Sequence, residues 1–106
     1  MTRGDLIVVS LPGDYGKLRP ALVVQSDRFA EHPSVTLLPI TTARVPAPLL
    51  RIDIGPGNGL ARPSQIQIDK AQTARRERIG RVIGRANDAT LTAVNPALAV
   101  FLGLAG

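Results

Sequence analysis

The chain has no cysteine and no tryptophan, and only one histidine, one tyrosine and two phenylalanines among its 106 residues. Without cysteine there is no disulfide, no thiolate nucleophile and no thiolate-bound zinc. His32 stands alone, so a His-clustered metal centre is excluded, and neither a metal nor another cofactor is expected. No apolar run approaches the ~20 residues that cross a bilayer. The apolar stretch after Met1-Thr2-Arg3-Gly4-Asp5 is too short for the hydrophobic region of a signal peptide. A soluble cytoplasmic protein without membrane contact is the expectation. Acidic residues are also scarce, eight against thirteen Lys and Arg, for a formal charge of +5. Eleven of those cations are arginine, whose planar fork matches phosphate where lysine offers a point charge. A surface of this sign attracts polyanions and speeds their encounter.

What is present reads as one domain over residues 1–106. A domain of this size buries only about two-thirds of its unfolded surface, so a partner subunit would add useful stability. Leu6 to Leu11, Ala21 to Gln25 and Val35 to Ile40 are apolar and bounded by Gly, Pro or Asp, as strands are. Ala21 to Gln25 reads as central. Leu50 to Ile54 and Gln65 to Asp69 alternate with a period of two; in the second, Ile66 and Ile68 face one way and Gln65, Gln67 and Asp69 the other. Pro12 to Leu18 and Gly55 to Gly59 read as a loop and a turn. Arg75 to Arg85 reads as a short turn running into a strand, because Gly80 and Gly84 oppose a long helix. Leu91, Val94, Leu98, Phe101 and Leu102 then follow helical spacing, with Asn87 or Asp88 as N-cap. Pro96 removes an N–H inside that pattern and predicts a kink or a break into two short helices. Five or six short strands and a terminal helix predict a mainly β fold, a small, strongly bent antiparallel sheet or barrel capped by a helix.

Taken in order, several of these segments resemble one family. Arg3-Gly4-Asp5-Leu6-Ile7-Val8 resembles the first strand of MazF/PemK toxins. Gly16-Lys17-Leu18-Arg19-Pro20-Ala21-Leu22-Val23-Val24-Gln25 resembles their most distinctive motif, a glycine-containing loop, Arg-Pro and an apolar strand. Leu38-Pro39-Ile40-Thr41, then Pro63-Ser64-Gln65-Ile66 through Gln72-Thr73, then Arg78-Ile79-Gly80 and Asp88 resemble the motifs that follow. The likeness covers essentially the whole chain. It implies an SH3-like, strongly twisted antiparallel barrel with a C-terminal helix, as a homodimer. It also implies metal-independent cleavage of single-stranded RNA at short motifs through the RNA's own 2′-hydroxyl. A cognate antitoxin with a flexible acidic tail would hold the toxin inactive.

The resemblance assigns Arg19 the family's catalytic arginine. A guanidinium makes paired hydrogen bonds to phosphate oxygens and is a poor general base, so stabilising the pentacoordinate phosphorus is its expected task. Thr41 matches the catalytic Ser/Thr, with Thr42 open as the alternative one residue on. Some relatives carry an Arg and an Asp two residues apart as acid and base; here those positions read Gln67 and Asp69, so the carboxylate is kept and the cation lost. Tyr15, Gly16 and Lys17, with Asp14, would line the RNA entrance, and a base can stack on Tyr15. Phe29 and Phe101 read as packing residues. Gln72 and Thr73, with Arg75 and Arg76 of the densest basic run, are further RNA-contacting candidates, against the alternative of a merely solvated charged face. A gyrase poison of the CcdB type shares the implied fold but uses a C-terminal tryptophan, which this chain lacks. A non-catalytic RNA-binding relative stays open because of Gln67.

Overall fold

The computed structural model describes residues 1–106. Seven strands form one antiparallel sheet: β1 (Asp5–Ser10), β2 (Leu18–Val23), β3 (Ser34–Thr41), β4 (Arg51–Ile54), β5 (Ser64–Gln67), β6 (Gln72–Arg75) and β7 (Ile79–Arg85). They precede a single helix, α1 (Asp88–Phe101). The strand order is β4-β5-β3-β2-β1-β7, and β6 also pairs with β3. β3 is the longest strand. Its first half pairs with β6 and its second half with β5, which a single strand achieves only if the sheet bends along it. Two register shifts between β1 and β7 add to the bend, as bulges do.

The central strands are apolar on both faces because the sheet has a core on each side. Leu6, Leu22, Leu38, Ile66 and Val94 belong to one buried cluster. Ile7, Val9, Ala21, Val35 and Leu37 belong to the other. Alternate residues of the same strands thus feed different cores, and this is why β1, β2 and β3 read as continuous apolar runs rather than alternating ones. Helix α1 covers the first cluster with Leu91, Val94, Ala97 and Leu98. The opening Arg3-Gly4-Asp5 fastens the edges. Arg3 donates to the Val24 carbonyl and to Asn95 on α1, Gly4 has φ +95°, and Asp5 pairs with Arg85 at 3.1 Å.

Three expectations need correction, while the bent antiparallel sheet with its terminal helix stands as expected. The sheet is left open, for the terminal strands β4 and β7 do not pair. The chain after β4 spans the gap instead, because the Asn58-Gly59 backbone lies directly on that of Ile83-Gly84, where a Cβ on either glycine would overlap the facing carbonyl. The alternating run Gln65 to Asp69 ends as a strand at Gln67 and becomes a 3₁₀ turn, Ile68–Lys70, and β6 is an additional strand. β6 is short and mostly polar, so it lacked the apolar pattern that identifies a strand. Pro96 neither kinks nor splits the helix, which runs unbroken through it from the Asn87 cap. Core packing by Leu91, Val94 and Leu98 on both sides of Pro96 outweighs the missing N–H. Phe101 and Leu102 do not join that buried face but are 45% and 58% exposed, and Phe29 is exposed as well; all three lie beyond the edge of the sheet's core.

Candidate active site

Arg19 stands near the start of β2, in register with Val9 of β1. On its other side β2 pairs with β3 through Ala21↔Pro39. Carried two residues further, that register puts Arg19 opposite Thr41. The two residues do share a hollow of roughly 240 Å³, whose other polar lining comes from Asp14, Gln67, Lys70 and Gln72. Leu11, Pro12, Pro39 and Ile40 supply its apolar walls. Arg19 is half exposed, and its Nε lies 3.5 Å from Asp14 Oδ2. Thr41 Oγ1 accepts a hydrogen bond from the Ala43 N–H at 3.0 Å, which leaves the hydroxyl proton free to be donated.

The loop between β1 and β2 separates this hollow from a second one of roughly 500 Å³, and Leu11 and Pro12 line both. Tyr15, Gly16, Thr73, Arg75 and Arg78 border the second hollow. Tyr15 is fully exposed with φ 52°, a left-handed conformation uncommon for a non-glycine residue. Its ring therefore stands clear of the protein at the rim. The adjoining hollows, which share Leu11 and Pro12, make one groove that carries Arg19 in its smaller part and Arg75, Arg78 and Tyr15 in its larger.

Most sequence candidates fall in this groove, but four do not. Thr42 points to the opposite face of the chain from Thr41 and lines a separate hollow with Pro20, Arg62 and Arg81. Arg76 turns back and donates to the carbonyls of His32 and Ala30; Arg75 is the last residue of β6 and Arg76 the first of a 3₁₀ turn, Arg76–Arg78, so the two side chains part company. Lys17 is exposed and borders neither half of the groove. Asp69 is also outside the lining, and its Oδ1 is buried with no hydrogen-bond partner. The reason is the turn after Gln67. Side chains three residues apart eclipse in a 3₁₀ turn, so Lys70, not Asp69, follows Gln67 into the hollow. Lys70 was missed because period-two reasoning was carried one turn too far. No group of three or more His, Asp or Glu side chains is placed to hold a metal ion.

Fold and groove define a small basic protein shaped to hold a polyanion against a bent sheet. The model of the PemK-like, MazF-like toxins of type II toxin–antitoxin systems matches residues 2–102. The chain is 43% identical, over the whole length of both proteins, to a probable endoribonuclease MazF of Mycolicibacterium smegmatis. It is similar in structure to a mycobacterial endoribonuclease solved in complex with its cognate antitoxin, with TM-score 0.85 at 26% identity, covering 100% of this chain and 98% of the other. The Mycobacterium tuberculosis toxin MazF-mt6 gives TM-score 0.84 at 26% identity, covering 96% and 99%. The chain belongs to the PemK-like, MazF-like toxin family.

Proposed function

We propose that the chain is the toxin of a type II toxin–antitoxin system, a metal-independent endoribonuclease that cuts single-stranded RNA in the cytoplasm at short sequence motifs. The observation that carries this is the convergence of Arg19, Thr41, Asp14 and Lys70 on one hollow in a chain with a full-length endoribonuclease relative. In the reaction the 2′-oxygen bonds to phosphorus and the bond from phosphorus to the 5′-oxygen breaks. The products are a 2′,3′-cyclic phosphate and a 5′-hydroxyl.

Each step has a group to serve it. The Arg19 guanidinium lies against the non-bridging oxygens and stabilises the charge that grows on the phosphorane, with the Thr41 hydroxyl as a further donor. The 2′-hydroxyl proton passes to the Asp14 carboxylate, which takes the place in the hollow that Asp69 was expected to fill. The departing 5′-oxygen takes its proton from Lys70, since an ammonium releases one more readily than a guanidinium. Approach of the phosphate competes with Asp14 for Arg19 and frees the carboxylate. Tyr15, Arg75 and Arg78 hold the flanking nucleotides. A cognate antitoxin occupies the same groove with a flexible acidic segment. The exposed Phe101, Leu102 and Leu104 favour a homodimer, in which a second copy covers them.

Purified protein is incubated with single-stranded RNA in EDTA. Cutting at a shared short sequence, leaving 5′-hydroxyl ends, is the expected result. Binding without cleavage would indicate a non-catalytic relative, and trapping of gyrase on DNA would indicate a gyrase poison.

A further inference from the structure

β5 carries two glutamines on one face, two residues apart and almost equally buried, Gln65 at 8% and Gln67 at 9% exposed. The fold fully engages the first. Gln65 Oε1 accepts from the Val45 N–H at 3.0 Å, and its Nε2 donates to the Val45 carbonyl and to Asp53 Oδ1, each at 3.1 Å. Gln67 has no such use. Its side chain does not cap the 3₁₀ turn that follows, and its amide bonds to no other group of the chain. It opens instead into the hollow of Arg19 and Thr41. Asp69 Oδ1 is the buried polar side-chain atom that lacks a partner; the Gln67 amide faces the open hollow, so an incoming partner has only water to displace from it.

The chemistry of the hollow indicates what that partner is. Arg19 and Lys70 are cations and suit phosphate oxygens. Gln67 is neutral and presents a donor beside an acceptor in one plane, the pattern that pairs with a nucleobase edge. The walls from Leu11, Pro12, Pro39 and Ile40 suit the flat faces of a base rather than more phosphate. We propose that Gln67 reads the edge of the base next to the scissile phosphate through two hydrogen bonds, and so determines one position of the cleaved sequence. This rests on the nuclease reading and gives Gln67 a specificity role in place of the proton transfer that a cation there would serve.

Two substitutions that change the hydrogen-bonding pattern sharpen the test. Gln67→Leu keeps the size of the side chain but removes both hydrogen bonds. Gln67→Glu accepts twice and donates nothing, so its matching edge is a pair of adjacent donors, the N1–H and N2–H of guanine. Wild type, Gln67→Leu and Gln67→Glu are each incubated with a randomised single-stranded RNA pool and the cut ends sequenced, with thermal melting to check folding. Discrimination at one position of the motif is expected to fall roughly 10- to 100-fold in Gln67→Leu, and that position is expected to shift toward guanine in Gln67→Glu. An unchanged motif cut uniformly more slowly would overturn the proposal. Should a variant not cut, its affinity is measured for oligonucleotides that carry a 2′-deoxy cut site and differ in one base; discrimination equal to wild type would likewise overturn it. Failure of the wild type to cut any RNA is a different result and would sink the nuclease reading itself.

Discussion

Two glycine-rich segments of this molecule do opposite work. The loop from Pro12 to Lys17 holds three left-handed residues, Gly13, Tyr15 and Gly16, and a Cβ on either glycine would meet nothing within 4 Å. Its glycines serve conformation only, and the space around them is the groove. The segment from Gly55 to Gly59 is also left-handed at several positions, but Gly59 lies against the backbone of Ile83, and Gly84 of β7 lies against Asn58. Here glycine is required by contact, because two backbone segments touch at the gap between β4 and β7. The same residue type thus marks an opening in one place and a seam in the other. Sequence composition does not tell them apart, and the difference separates residues that serve function from those that serve stability.

The largest effect that tests the contrast belongs to the seam. Gly84→Ala puts a methyl group into the Asn58 carbonyl, and overpacking this close to backbone falls at the upper end of the usual range, about 3 kcal/mol. Its melting temperature should fall by more than ~10 °C; a wild-type melting curve would show that the seam is loose. Comparable in energy but opposite in character is Arg19→Ala beside the open loop. Cleavage should drop at least ~100-fold, as when one preorganised donor is removed from a reacting oxyanion, while the melting curve stays within a degree or two. Full activity would remove Arg19 from the reaction. Tyr15→Ala comes next. Losing one base stack is worth about 1–3 kcal/mol, which should appear as weaker RNA binding with unchanged stability. The smallest effect is expected at Gly13→Ala, where only the left-handed backbone matters and the cost is about 1 kcal/mol. If Gly13→Ala matched Gly84→Ala in a melting experiment, the distinction between opening and seam would fail.

Much of this was readable in the chain itself. β1, β2 and β3 announced themselves as apolar runs, and the double burial of Leu6 with Ile7 and of Ala21 with Leu22 explains why they did not alternate. The N-cap at Asn87 accepts from Thr90 as its chemistry suggests. Arg19 and Thr41, on different strands but matched by motif, do share a hollow. The misses cluster where local pattern yields to tertiary contact. Pro96 sits in an unbroken helix because the core holds both flanks. β6 is a strand only because β3 is there to pair with it.

By itself the sequence determined the sign of the surface charge, the apolar strands, the single terminal helix and the family, because these depend on residue type and on spacing along one chain. Only the tertiary structure decided that Gln65 is bonded while Gln67 is free, that Lys70 and Asp14 rather than Asp69 line the hollow of Arg19, and that Thr41 rather than Thr42 lines it too. Thr41 against Thr42 turns on one residue of a strand, Lys70 against Asp69 on one step of a 3₁₀ turn, and Gln65 against Gln67 on the Val45 backbone that lies over the first alone; each is set by neighbours outside the local sequence.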